Sequence, residues 1–296
     1  MNAALTDAVL ATVGKHRQGG TPLVVAAHAQ GGGCINRAVL LDLDDGTRIF
    51  VKSNADAPSQ MFAAEAAGLR ALGNADCLRV PEVIGHGRAA GADFIVLEAI
   101  APGRPSGAFF ANFGECFAEL HRQTQADRAG FDHDNYIGST PQQNAWTADW
   151  VRFFGEHRLR FQLRLAAEQG LADRSMLALG DRLIDRLAEL LDDGERPCLL
   201  HGDLWSGNYL CDSDGAAVLI DPACYYGRRE ADLAMTRLFG GFPEAFYRAY
   251  QGVWPLVAGA ETRCEIYQLY HLLNHLNLFG SSYRQSCMTI LERYGR

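Results

Sequence analysis

The chain has 296 residues, 48% of them hydrophobic and 21% charged, and its 27 Lys and Arg against 35 Asp and Glu give a formal charge of −8. That composition is too rich in aliphatic side chains for disorder, and it lacks the clustered cations a nucleic-acid backbone requires, so no nucleic-acid partner is expected. The length exceeds the roughly 100 to 200 residues of one typical domain, and two lobes sharing a cleft are expected instead.

Eight scattered cysteines with no C-x-x-C pair argue against a disulfide framework or a zinc site and point to a cytoplasmic setting. The opening MNAALTDAVLATVGKHRQGG has neither a basic leader nor a continuous apolar run. Thr6 followed by periodic Leu and Val reads there as a capped amphipathic helix, and an unprocessed chain is expected. No stretch approaches the ~18 apolar residues of a membrane span, so no membrane partner is expected.

In chain order, TPLVVAA, RAVLLDL and TRIFVKS alternate in strand fashion, and Asp44-Asp45-Gly46 joins the last two as a hairpin. PSQMFAAEAAGLRAL has helical spacing with Pro58 near its start, and ADFIVLEAI reads as a short buried strand. The linker APGRPSG sets two Pro and two Gly at a boundary. It separates a β-rich lobe over residues 1–100 from a larger, mainly helical lobe over 101–296, an α+β arrangement. Helices are expected at about 107–125, 145–168, 173–192, 230–239, 243–251 and 262–280. HGDLWSGNYL and VLIDPA form a small β insert among them.

The chemistry concentrates in that insert. If a hairpin through Asp212 to Gly215 brings the loop 201–208 to the strand end at Asp221, then Asn208 and Asp221 supply hard oxygen ligands of the kind Mg²⁺ takes alongside water and phosphate. Asp203, five residues before Asn208, could accept a proton from an attacking hydroxyl, the division of labour of phosphoryl transfer. Taken singly, the three are equally a turn residue, a loop cap and a strand terminator. In the first lobe Lys52 stands near a strand end, where most lysines are solvated. Yet Met61, Glu65, Leu69 and Leu72 fall on one helical stripe at i, i+4, i+8 and i+11, which sets a carboxylate on an apolar face and demands a partner such as Lys52. Gly31, Gly32 and Gly33, in AQGGGCINRAVLL, would let backbone N–H groups approach phosphates. If the insert serves phosphoryl transfer, FIVLEAI leading into APGRPSG would supply a hinge whose backbone groups from Glu98 to Ile100 meet an adenine, and Cys34 in the glycine turn is a candidate redox-sensitive thiol.

HGDLWSGN and IDPA resemble the catalytic and metal-binding motifs of the protein-kinase-like small-molecule kinases, which include aminoglycoside, choline and fructosamine kinases. The resemblance implies a bilobal protein-kinase-like fold, ATP and Mg²⁺ as cofactors, Asp203 as catalytic base, and Asn208 with Asp221 as metal ligands. GGGCIN, FDHDNYIGSTPQQN, DWVRFFGEHRLRFQL, DPACYYGRREADLAM and NHLNLFG are similar, over nearly the whole chain, to the fructosamine-3-kinase (protein-ribulosamine 3-kinase) family. That resemblance implies phosphorylation of the 3-hydroxyl of a ketosamine, free or protein-bound, with His275 lining the sugar site and deglycation as the outcome. Another small-molecule kinase, acting on an aminoglycoside, choline or a sugar, is the alternative.

Trp205 offers a flat wall for a sugar or lysyl chain, or else is a core residue. Asn135 is a candidate acceptor contact or an Asx-turn residue. On the last long helix Ile266, Leu269, Tyr270 and Leu273 form a core face, and His271, Asn274, His275 and Leu278 form a mixed stripe expected to be solvated. Asp232 would start a helix and hydrogen-bond the catalytic loop. A monomer or homodimer is expected.

Overall fold

Strand alternation decides which side chains meet in the first part of the chain. The computed structural model describes residues 1–31, 36–58 and 60–296, so Gly32, Gly33 and Cys34 lie outside the described residues. Two units emerge, Met1–Ser106 with Leu210–Pro222, and Gly107–Tyr209 with Ala223–Arg296. The linker boundary expected near residue 101 thus stands beside a first unit that runs to Ser106 and takes in a later hairpin.

The first unit opens with helix α1 (Ala3–His16), capped by Asn2, whose side chain accepts from the Leu5 N–H at 2.9 Å. Asn2 takes the capping place assigned to Thr6, whose hydroxyl bonds back to the Asn2 carbonyl. Strands β1 (Val24–Gln30), β2 (Arg37–Leu43) and β3 (Arg48–Asn54) precede helix α2 (Met61–Asn74), and β4 (Val83–Ala89) and β5 (Ala92–Glu98) follow it. They form one antiparallel sheet in the order β1-β2-β3-β5-β4. The β2–β3 turn is the expected hairpin, with Gly46 at φ +82°, where a side chain would be strained.

Period-two alternation gives the sheet two apolar faces. Ile49, Val51, Phe94 and Val96 pack on one side with Leu5, Val9 and Val13 of α1. Ile95 and Leu97, with Phe50, pack on the other with Phe62, Ala66 and Leu69 of α2. Lys52 shares the α2 face with Phe50, which is why a lysine in the strand meets a carboxylate on that helix.

In the second unit, helix α3 (Phe109–Gln123) is followed by the short hairpin β6 (Asn135–Ile137) and β7 (Thr140–Gln142). The single helix expected over 145–168 starts later, at α4 (Trp150–Phe153), passes through a π-helical stretch (Phe154–Arg160), and resumes as α5 (Phe161–Glu168). Asp149 and Asp173 cap α4 and α6 (Arg174–Leu190), each carboxylate accepting a backbone N–H at 2.9 Å. Strand β8 (Cys198–Leu200) leads into the HGDLWSGN loop, the chain then makes the hairpin of β9 (Tyr209–Cys211) and β10 (Ala217–Leu219) that belongs to the first unit, and β11 (Tyr225–Gly227) returns to pair with β8. Helices α7 (Arg229–Arg237), α8 (Glu244–Val253), α9 (Ala260–Phe279) and α10 (Arg284–Tyr294) complete the chain.

The rings of Phe113 and Phe117 on α3 stack edge-on or tilted against Phe246 of α8, at centroid separations of 5.3 and 5.9 Å. Helix α9 carries the expected core face, but His271 and Asn274 are buried as well, at 3% and 2% exposure, which corrects the solvated stripe. Asn274 accepts from Gln162 of α5 at 3.2 Å, so neighbours on that side replace water. Among the described residues no disulfide forms, and no helix is long and apolar enough to cross a membrane.

Candidate active site

In the first unit the Lys52 side chain is 8% exposed, and its Nζ donates to Glu65 Oε1 at 2.8 Å and to Asp221 Oδ1. Burial alone would lower the lysine pKa, but the carboxylates of Glu65 and Asp221 overcome it and hold the ammonium above its ordinary value. The amphipathic stripe anticipated the Glu65 contact. It gave no sign of Asp221, which is 169 positions away from Lys52 in sequence.

Asp221 reaches that place because the β9–β10 hairpin is sewn into the first unit. The turn Asp212 to Gly215 closes as expected, with Asp212 Oδ1 accepting from the N–H groups of Asp214 at 3.0 Å and Ala216 at 2.8 Å. Arg79 binds the other Asp212 oxygen, and the same guanidinium donates to Glu98 at 2.5 Å. The Leu219 N–H donates to the Arg79 carbonyl at 2.9 Å, and the Gly103 N–H to the Cys211 carbonyl at 2.8 Å. A Cβ on Gly103 would lie 1.8 Å from the Asp212 carbonyl oxygen, so only glycine allows this approach. Asp221 itself has φ +55°, a left-handed conformation that aspartate tolerates better than most residues.

Of the nucleotide-side residues, Gly31 is exposed just beyond β1 and Ile100 is half-buried beyond β5. Glu98 ends β5, with its N–H donating to the Glu82 carbonyl at 2.9 Å. The thiol of Cys34 and the backbone of Gly32 and Gly33 lie outside the described residues.

In the second unit Asp203 sits in a loop fixed through its backbone. The carboxylate of Asp232, on the first turn of α7, accepts from the N–H groups of His201 at 2.7 Å and Gly202 at 2.8 Å. Burial tends to raise the pKa of Asp232, yet hydrogen bonding from His121 and the nearby charges outweigh it and keep the carboxyl below its usual value. The Asp203 N–H donates to His201 Nδ1 at 3.2 Å, so that ring nitrogen carries the lone pair. From the other side the Ala223 N–H donates to the His201 carbonyl at 2.9 Å. Gly202, at φ +82°, leaves room for the Ala223 carbonyl oxygen, which would stand 2.0 Å from any Cβ there. The Asn208 amide nitrogen donates to the Asp203 carbonyl at 2.8 Å and to its carboxylate at 3.2 Å.

Trp205 is 36% exposed and heads an aromatic cluster that the sequence did not announce. Its ring meets Phe239 edge-on at 6.4 Å, Phe239 lies 4.5 Å from His275, and His275 neighbours Phe279 at 5.4 Å and Tyr283 at 5.1 Å. Phe239 and Phe279 are exposed, and Phe239 adopts φ +52°, the kind of backbone strain that gathers at ligand sites. The nearest sequence signal was FGGF, whose two glycines follow Phe239. His275 Nδ1 donates to the His271 carbonyl at 2.8 Å, and burial lowers its pKa, so Nε2 is left as an acceptor. Asn135 is 3% exposed, with both ends of its amide engaged inside the fold: Nδ2 donates to the Cys224 carbonyl at 2.7 Å and Oδ1 accepts from Gln142 at 2.7 Å.

A family model described as fructosamine kinase matches residues 8–296. Over 269 residues the chain is 45% identical to the protein-ribulosamine 3-kinase, chloroplastic, of Arabidopsis thaliana, covering 90% of this chain and 81% of that protein. Among solved structures, a candidate fructosamine-3-kinase from Thermobifida fusca superposes with a TM-score of 0.87 at 35% identity, covering 98% of each chain. A thermostable aminoglycoside phosphotransferase in ternary complex with AMP-PNP and hygromycin B shares the fold, with a TM-score of 0.61 at 18% identity over 91% of this chain and 94% of that one.

Proposed function

The chain belongs to the fructosamine kinase family, and from that premise we propose that it transfers the γ-phosphoryl group of ATP to the 3-hydroxyl of a ketosamine. The observation that carries the reading is the buried Lys52 held between Glu65 and Asp221, an ammonium poised to exchange a carboxylate for a nucleotide phosphate. Glu65 holds the lysine head in place, and the Glu98 to Ile100 backbone and the glycine turn from Gly31 receive the rest of the nucleotide.

Asp203 accepts the proton of the attacking hydroxyl, its orientation set by the bonds to Asn208 and the fixed backbone of the loop. With its nitrogen committed to Asp203, the Asn208 amide offers its oxygen to a cation, and Asp221 offers a carboxylate, the hard donors magnesium takes. Bound magnesium would neutralise charge on the transferring phosphoryl group. Trp205 and His275, with the cluster around them, form the face for the sugar and its ammonium. An indole face contributes on the order of 0.5 to 2 kcal/mol to a cation placed over it.

Once phosphate stands at C3, enolisation of the C2 carbonyl toward C1 lets inorganic phosphate depart, and hydrolysis of the residue frees the amine. Deglycation follows without a second enzyme. The acceptor is small or protein-bound, and the setting we infer is cytoplasmic. ADP release measured with ribulose-lysine, fructose-lysine, free ribulose, an aminoglycoside and choline tests the reading. A ketosamine should exceed free ribulose about tenfold or more in kcat/KM. Equal efficiency with the free sugar would remove the ketosamine assignment and leave a small-molecule kinase.

A further inference from the structure

We propose that Gln142 and Asn135 are positioning residues of the catalytic loop, acting through the carbonyls of Ala223 and Cys224. The inference rests on the catalytic role assigned above to Asp203. Four polar side chains meet in the interior of the second unit, with Asn135 at 3% exposure, Gln142 and Asn144 at 1%, and Arg158 at 0%. Buried amides are costly unless their bonds are made, and a half-made network is worse than an apolar core. Here the bonds form a directed chain. Arg158, which can only donate, gives Nη2 to Asn144 Oδ1 at 2.7 Å. That fixes the Asn144 amide, whose nitrogen donates to Asn135 Oδ1 at 2.8 Å. Asn135 then donates to the Cys224 carbonyl at 2.7 Å.

A second branch begins at the Tyr270 hydroxyl, which donates to Gln142 Oε1 at 2.6 Å. It ends where the Gln142 nitrogen donates to the Ala223 carbonyl at 3.0 Å and to Asn135 Oδ1 at 2.7 Å. No amide in the chain can flip without facing like against like. The source of the order is unusual, a buried guanidinium on a π-helical turn, stacked 4.1 Å from the Tyr225 ring centre and 4.5 Å from that of Phe153.

The far end of the network is the surface on which the catalytic loop lies. The Ala223 carbonyl that Gln142 holds is the one against Gly202, and the Ala223 N–H holds His201. Asp232 grips the loop from α7, and Gln142 with Asn135 fixes the opposing peptide. An apolar hairpin would fill the same space, but it would leave two carbonyls without direction.

The test is Gln142→Met, which keeps the length of the side chain and removes both donors. Hydrogen exchange over residues 198–204 should rise about fivefold or more while that over 284–294 stays unchanged. With ATP and ribulose-lysine, kcat per nucleotide-binding molecule should fall about tenfold or more while KM for ATP holds within about twofold. Unchanged exchange over 198–204 overturns the proposal whatever the acceptor proves to be, as does a rise spread evenly over both segments. A kcat within about threefold of wild type also overturns it. If wild type ignores every ketosamine yet the exchange effect is present, the ketosamine assignment falls and the clamp stands. Should Gln142→Met fail to fold, Asn135→Ser, which removes the bond to Cys224, is held to the same readings.

Discussion

Around Lys52 the first unit sets charge against charge, one buried ammonium between two carboxylates and Arg79 between Glu98 and Asp212, whereas around Asp203 the second unit relies on backbone N–H and carbonyl groups locked by Asp232, Ala223 and Gly202. The difference fits the roles proposed for the two regions. Ionic partners can be traded for incoming phosphates and a cation at little net cost, because each exchange replaces one charge with another. The base proposed at Asp203 would gain nothing from movement, and directional bonds to the main chain hold its loop with the least freedom.

Asp203→Asn should produce the largest effect, a fall in kcat of about 10² to 10⁴ with ATP affinity nearly unchanged. Loss of nucleotide binding in that variant, read by calorimetry, would break the division between the two regions. Lys52→Met comes next. It leaves Glu65 buried without its cation and should cost ~3 to 5 kcal/mol in denaturant unfolding. Lys52→Met combined with Glu65→Leu should regain most of that stability and none of the turnover, which would mark the ion pair as functional in purpose. On the other side Gly202→Ala has no such remedy. A methyl group pressed on the Ala223 carbonyl in a left-handed backbone should cost ~2 to 4 kcal/mol, measurable by the same unfolding experiment.

Acid should weaken the second unit by a smaller amount. Burial pushes His271 down to about 3 from an ordinary 6.5, and the charge of His275 adds to the shift. Because the unfolded chain takes up the proton first, stability is full above 6.5 and is lost as pH falls from there toward 3. Between pH 6.5 and 5 the loss is about 2 kcal/mol for this group. His271→Phe should flatten that slope in unfolding curves taken across the range.

Local pattern made much of this legible. The stripe of α2 exposed the Glu65 contact because a carboxylate on an apolar face announces a missing partner, and HGDLWSGN kept Asp203 and Asn208 within one loop. Strand β4 escaped because Gly85 and Gly87 interrupt its alternation, and the β6–β7 hairpin because Gly138 and Pro141 made it read as a loop. The Lys52 contact to Asp221 and the cluster of Phe239, Phe279 and Tyr283 about His275 are tertiary events between distant segments. No spacing encodes them.

The hairpin that carries Asp221 has a consequence for how the protein is made. The first unit is discontinuous, since Met1–Ser106 is completed by Leu210–Pro222. At 5 to 20 residues per second the ribosome needs on the order of ten seconds to pass from one piece to the other. Throughout that interval Lys52 lacks one of its two carboxylates, and Arg79 lacks Asp212. The first unit must therefore wait, its five-stranded sheet already contained in the early piece but its ion pairs incomplete, for a segment that emerges only after most of the helical unit has left the exit tunnel. A fragment ending at Ser106 would reproduce that waiting state rather than the finished unit.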